Sequence, residues 1–266
     1  MDNPPQPHSQ PLALTIAGSD SCSGAGIQAD LKTFAALGVY GLNAVTCVVA
    51  ETTQTVESID PVEPAVVCSQ IRLLTSSYPV AAAKTGMLYS SVHVASVCDS
   101  LPEAIPLVVD PVMVSTSGTP LLLEDAVQRY KESLFPLATV ITPNLDEASF
   151  LLGEPITTRN QLEPAAKKLA DSYSTAVLLK GGHLGAPEAT DVLVTDTGTK
   201  IYTAPFIPGV STHGTGCTYS AAITAHLASG LSLADAVSRA KQFVTNAITN
   251  HLRWGSIDAL HHFTKS

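Results

Sequence analysis

The sequence predicts an α/β fold of three layers, a mostly parallel central sheet with helices on both faces. Two observations carry that prediction. Short valine- and alanine-rich apolar runs alternate with longer amphipathic stretches, and the connections between them are brief. In addition, 45% of the residues are hydrophobic and only 14% charged, which suits a sheet buried on both sides. The length of 266 residues is enough for one large core, and neither a composition shift nor a repeat divides the chain.

The elements follow in order. Four prolines among residues 1–11 make an extended tail with little to pack, expected to be disordered, and residues 12–266 are expected to form a single domain. Leu12 to Ala17 reads as a buried strand, and Ile27 to Leu37 as an amphipathic helix closed by Gly38. Leu42 to Ala50 is the next strand, and a helix over 62–76 leads to a short strand at Val80 to Lys84. A helix over 91–100 precedes Pro106 to Asp110, an apolar run ending on an acid. A helix over 122–133 precedes the strand Thr139 to Thr142, and a helix over 159–173 feeds Ala176 to Lys180. Asp191 to Thr195 and Lys200 to Ala204 read as antiparallel strands, before final helices over 215–229 and 232–252.

Charge narrows the function. With 14 Lys and Arg against 23 Asp and Glu, the net charge is −9, and no basic run is present to neutralise nucleic-acid phosphates. No uncharged apolar run reaches the roughly 18–20 residues of a membrane span, and the amino terminus lacks a signal-peptide pattern. The five cysteines are scattered without a CxxC, so a reduced, cytoplasmic chain without disulfides or a zinc site is expected.

In doubly covered sheets, ligands collect beyond the carboxyl ends of the strands, so motifs there matter most. Gly24-Ala25-Gly26-Ile27-Gln28-Ala29 matches a relaxed dinucleotide fingerprint, with Glu51 near the expected position of a ribose-binding acid. However, Gly18 to Ser23 separate it from the first strand. That spacing favours a substrate loop with Asp20 held over the sheet, or a plain structural turn. Ser211-Thr212-His213-Gly214-Thr215-Gly216-Cys217 runs directly into an apolar helix, where free N–H groups and the helix dipole would cradle an anion. Cys217 there is either a thiol with a lowered pKa, acting as base or nucleophile, or a small packing residue. Asp110, Asn144, Glu147 and Lys180 follow successive strands, a set able to hold hydrated Mg²⁺ and neutralise phosphate. Singly, Asn144 reads as a helix cap, Glu147 as its capping-box partner and Lys180 as a solvated strand end. Lys84 also closes a strand, and the histidines show no metal-ligand spacing. A cysteine hydrolase pairing Cys217 with His183 or His213 would leave the Lys180, Asp110 and Asn144–Glu147 set without a role.

Six segments together resemble the hydroxymethylpyrimidine and phosphomethylpyrimidine kinases of thiamine biosynthesis, within the ribokinase superfamily. They are TIAGSDSCSGAGIQADLKTFAALGVYG, AAAKTGML, VVDPVMVSTSG, ITPNLDEA, LLKGGHL and HGTGCTYSAAI, in the family's order from Leu14 to about Asn250. The resemblance implies a ribokinase-like fold and ATP- and Mg²⁺-dependent phosphorylation of 4-amino-5-hydroxymethyl-2-methylpyrimidine, often by a homodimer. It implies that Gly214, Thr215, Gly216 and Cys217 form an anion hole, and that Cys217 deprotonates or orients the substrate. Lys180, Thr212 and Asn144 would serve ATP, and Asp110 and Glu147 would organise Mg²⁺ through water. Asp20, Gly18, Val112 and Glu51 would face the substrate.

One departure bears on specificity. Glu51 stands where the family carries a glutamine that contacts the aminopyrimidine. An ionised carboxylate only accepts hydrogen bonds, so recognition would need a proton on the ring nitrogen or on Glu51 itself. The alternative is a shift toward a pyridoxal-like vitamer, and a pyrimidine-binding module without catalysis is a third reading. A monophosphate substrate would add two negative charges beside Glu51 and Asp20, so the first phosphorylation is expected and the second stays open.

Overall fold

The computed structural model describes residues 10–113, 122, 124–182, 184, 187–210 and 213–263. The chain enters on β1 (Leu12–Asp20), whose apolar residues are almost all buried, and crosses through α1 (Gly26–Ala36) to β2 (Tyr40–Glu51), parallel to β1. Then come β3 (Val56–Pro61), α2 (Pro64–Ser77), β4 (Ala82–Thr85), α3 (Ser91–Ser100), β5 (Leu107–Val109), α4 (Glu124–Arg129), β6 (Val140–Ile141) and α5 (Leu145–Leu152). The second half runs α6 (Leu162–Tyr173), β7 (Ala176–Lys180), β8 (Glu188–Thr195), β9 (Gly198–Pro205), α7 (Thr215–Ala228) and α8 (Leu233–Thr249). Strands β10 (Leu252–Trp254) and β11 (Ile257–Ala259) form a separate ribbon.

The main sheet has the order β3-β2-β1-β4-β5-β6-β7-β8-β9. Strands β2 to β7 in that row are parallel, while β3, β8 and β9 are antiparallel to their neighbours. Alternation along the strands feeds two apolar layers, as expected where both faces are covered. Leu14, Ile16, Leu107, Val109 and Ile141 pack with Ile71, Val97, Tyr130 and Leu169 from the α2–α6 side. Ala13 packs with Phe34 and Ala221, and Val108, Val140 and Leu178 with Ile223 and Val237, from the side of α1, α7 and α8. This is the three-layer arrangement expected, and no helix among the described residues is long and apolar enough to cross a membrane.

The differences have local causes. β3 went unpredicted because its VESIDP sequence is mostly exposed and polar, held in the sheet by backbone pairing to β2 alone. The helix expected over 122–133 ends at Arg129 and continues as a wider π turn, Tyr130–Leu134, then a 3₁₀ turn containing Pro136, whose missing N–H cannot extend an α-helix. α8 stops at Thr249, three residues before the boundary expected at 252. β1 runs to Asp20, past a register irregularity between Ala17 and Ser19. That extension carries Asp20 to the carboxyl edge of the sheet, beside the end of β2 at Glu51.

Candidate active site

Lys180 ends β7, and Asp110 follows β5 two strands away. The Lys180 ammonium donates to Asp110 Oδ1 at 3.0 Å, with Asp110 2% exposed. Thr142 Oγ1 donates to the same oxygen at 3.2 Å, and Ser220 Oγ donates to Oδ2 at 3.0 Å. Burial would raise the Asp110 carboxyl, but Lys180 and Lys84 outweigh it and hold it below the usual carboxylate range. Burial would lower Lys180, but Asp110 and Glu147 keep it charged. Glu147 goes the other way: burial, with Asp110 nearby, pushes it up to about 8 against the pull of Lys180.

Asn144 and Glu147 also carry out the plain roles their spacing suggests. Asn144 Oδ1 accepts from the Glu147 amide, and Glu147 Oε2 accepts from the Asn144 amide, each at 2.8 Å, a complete capping box on α5. The cap fixes both side chains next to β7, where Asn144 bridges Lys180 and the Lys180 amide donates to Pro143 O at 2.9 Å.

Gly214 opens α7 at φ +77°, and Thr215, Gly216 and Cys217 form its first turn. The free amides of that turn point where an anion would sit. A Cβ on Gly216 would lie 3.3 Å from the Lys180 ammonium, so helix terminus and cation share one place. The Thr215 hydroxyl is buried there with no hydrogen-bond partner. Of the two readings of Cys217, the surroundings favour the packing residue. Burial pushes its thiol up to about 12, with Lys84 pulling down and Asp30 and Asp110 pushing up, so the helix terminus does not make it a thiolate.

On the substrate side, Asp20 spends its carboxylate on its own loop. Oδ1 accepts from the Cys22 amide at 2.7 Å, and Oδ2 from the amides of Gly24 and Ala25 at 3.0 and 2.8 Å. His213 Nε2 lies 3.2 Å from Oδ2, across from the anion-hole loop. Burial would raise Asp20, but the His213, Cys22 and Ala25 contacts hold it well below the usual range. The glycines serve this contact more than a ligand. A Cβ on Gly24 would lie 2.5 Å from the His213 ring, and one on Gly214 would lie 1.7 Å from Gly24 O. Asp20 therefore shapes the loop, and Glu51 is the acid left at its edge.

The Glu51 amide donates to Ser21 Oγ, and Ser21 Oγ–H donates to Glu51 O, at 2.8 and 2.7 Å, tying the end of β2 to the Asp20 loop. Burial and the charge of Asp20 push the Glu51 carboxyl up to about 7, with His213 pulling the other way. Gly18 packs against Cys47, close enough that a Cβ would lie 2.8 Å from its sulfur. Cys47, Val49 and Met87 make a small apolar cluster joined by Tyr89 and Val112. Gly18 and Val112 thus border one apolar wall, and Glu51 lies two residues beyond its Val49 on β2.

Thr212, expected to serve ATP, and His183 lie outside the described residues. Four contributors escape a reading of the sequence. Thr142 and Ser220 meet Asp110 only through the fold. Tyr89 sits beside the apolar wall in the left-handed region at φ +68°, costly for a non-glycine residue and common at ligand sites. Asp30 pairs with Lys84 at 2.7 Å, both 0% exposed, and accepts from Thr15 Oγ1 at 2.6 Å. Lys84 remains charged in the interior, close enough to influence Asp110 and Cys217.

The family model described as phosphomethylpyrimidine kinase matches residues 20–261. A hydroxymethylpyrimidine/phosphomethylpyrimidine kinase of Rhizobium meliloti is 44% identical over 240 residues, covering 90% of each chain. The thiamine biosynthesis bifunctional protein ThiED of Geobacter sulfurreducens is 43% identical over 237 residues, and this chain spans only 48% of its length. Among solved structures, the phosphomethylpyrimidine kinase of Clostridium difficile aligns with a TM-score of 0.78 at 38% identity, covering 89% of this chain and 99% of that one. A pyridoxal kinase of Staphylococcus aureus in complex with AMP-PCP and pyridoxal aligns with a TM-score of 0.87 at 34% identity, covering 96% of this chain and 94% of that one. With nearly the full described length matched and the strand-end residues in one place, the chain belongs to the phosphomethylpyrimidine kinase family.

Proposed function

We propose that the chain transfers the γ-phosphoryl group of ATP to the hydroxymethyl oxygen of 4-amino-5-hydroxymethyl-2-methylpyrimidine. The observation that carries this reading is the Lys180–Asp110 pair beside Gly216 at the start of α7, with the unpartnered Thr215 hydroxyl in the same turn. In phosphoryl transfer the protein supplies position and charge neutralisation. Lys180 would neutralise transferring phosphate oxygens, and the amides of Thr215, Gly216 and Cys217 would receive charge that develops there. A thiol held near 12 keeps its proton at rest, which favours an orienting over a deprotonating role for Cys217. A loose transition state is compatible with this, because it needs little deprotonation of the attacking hydroxyl beforehand.

The donors also suit Mg²⁺. Asp110 and Glu147 offer oxygen donors, the kind Mg²⁺ takes, and the ion would be held there through water and substrate phosphates. Bound there, the ion would offset phosphate charge.

Glu51 supports the pyrimidine as acceptor. A carboxyl near pKa 7 shares one proton with a ring nitrogen, so donor and acceptor are both available to an aminopyrimidine, as an amide would offer. Asp20 and Glu51 oppose a phosphate already on the substrate, so the first phosphorylation is the activity proposed. The second reading, a pyridoxal kinase, is favoured by the likeness to the Staphylococcus aureus enzyme.

Incubation with ATP, Mg²⁺ and either the hydroxymethylpyrimidine or pyridoxal, with products weighed by mass spectrometry, separates the readings. A pyrimidine monophosphate is expected. Pyridoxal phosphate alone would replace the substrate, and ligand binding without ATP turnover would reduce the chain to a binding module.

A further inference from the structure

Outside the phosphate side, one group of side chains converges as ligands do. Cys22 Sγ lies 3.3 Å from Asp20 Oδ2 and 3.5 Å from His213 Nε2, and those last two atoms are 3.2 Å apart. Among the described residues this is the one group of three His, Cys, Asp or Glu ligand atoms within 4.8 Å of one another. The triangle has the size of a zinc coordination face. Tetrahedral Zn²⁺ with bonds of about 2.3 Å to sulfur and about 2.0–2.1 Å to nitrogen and oxygen places its ligand atoms about 3.3–3.6 Å apart.

The surroundings hold the three donors in that arrangement. Asp20 is held in place by the Cys22 amide on Oδ1 and by the amides of Gly24 and Ala25 on Oδ2 itself, the oxygen that faces Cys22 and His213. The His213 ring rests against Gly24, where even a Cβ would collide with it. Cys22 is exposed, which leaves an entry path and room for a fourth ligand from solvent.

We propose that Asp20, Cys22 and His213 form a binding site for a soft divalent cation, Zn²⁺ in particular, with water in the fourth position. Binding displaces the Cys22 thiol proton to solvent and leaves a thiolate on the metal. Because Asp20 and Cys22 belong to the loop after β1 and His213 to the loop before α7, the ion staples the substrate loop to the anion-hole loop. Its occupancy therefore slows phosphoryl transfer, and a chelator restores it. That last consequence rests on the kinase reading, while the binding itself does not.

The test begins with Co²⁺, added to the full chain in chelator-treated buffer without nucleotide. One equivalent is expected to produce a thiolate-to-cobalt charge-transfer absorption that Zn²⁺ then abolishes by displacement. Cys22→Ser is expected to lose the absorption and at least about ten-fold in Zn²⁺ affinity, while Cys217→Ser keeps both. Zn²⁺ is also expected to protect Cys22 of the parent chain from alkylation, mapped by mass spectrometry, which needs no variant. Absence of the sulfur absorption in the parent, its survival in Cys22→Ser, or unprotected Cys22 would overturn the site. Stoichiometric binding with turnover unchanged by Zn²⁺ would overturn the staple. A chain without phosphoryl transfer even in metal-free buffer with Mg²⁺ would count against the kinase reading, and the cobalt spectrum would still decide the site.

Discussion

The two sides of the site are built on opposite electrostatic plans. On the phosphate side, Asp110 is surrounded by Lys180, Thr142 and Ser220, and every oxygen it has is engaged. On the substrate side, Asp20 and Glu51 stand together with no lysine or arginine paired to either among the described residues, and His213 with the loop amides offsets Asp20. A buried cation with an ionised partner keeps its charge over a wide pH range, which suits a task that does not vary, the handling of phosphate. Burial of Glu51, with the charge of Asp20 beside it, leaves Glu51 holding its proton up to about pH 7. On the function proposed, recognition of the acceptor would be sensitive to pH through Glu51, and phosphate handling would not.

The largest loss is expected on the phosphate side. Lys180→Ala removes the cation beside Gly216 and leaves Asp110 and Glu147 facing incoming phosphates. The value of kcat should fall by about 100-fold or more in steady-state assays. A value within three-fold of the parent would break the division between the two sides.

Next comes the support beneath both sides. Lys84→Met leaves Asp30 buried without its partner and should cost about 3–5 kcal/mol in urea unfolding. Adding Asp30→Leu should recover much of that loss, since an apolar pair of similar volume avoids burying a lone charge. Equal instability of the double variant would mean that Lys84 is not held there for the pair.

The smallest effect concerns the cap that sets Asn144 and Glu147. Asn144→Ala should cost about 1 kcal/mol, or roughly 2–4 °C in Tm, by calorimetry. An unchanged Tm would show the capping box to be dispensable for the helix.

These regions were not equally legible in the sequence. Asp110, Lys180 and the Asn144–Glu147 pair each announce themselves locally, as polar groups that end an apolar run or open a helix. The substrate side depends on contacts that no local pattern encodes. His213 reaches Asp20 from 193 positions away, and Gly24 resembles a ligand-facing glycine although it makes room for an imidazole. The choice between the two readings of Cys217 depends on the same kind of contact. A helix terminus is visible in sequence and pulls a thiol down, whereas the burial that outweighs it belongs to the packed fold. Strand β3 shares this cause, since its place is set by pairing with β2 and not by its own apolar pattern.

The role of the Glu51 proton is tested by a pH profile of kcat/KM for the hydroxymethylpyrimidine, measured on the parent and on Glu51→Gln. Glu51 keeps its proton below about 7 and loses it above, so the parent should decline as pH rises through 7. Glu147, raised to about 8, titrates in both proteins and cancels in the comparison. In Glu51→Gln the decline near 7 should vanish while activity remains, because an amide donates and accepts at every pH. An identical decline in both proteins would contradict the claim that Glu51 reads the ring through a shared proton.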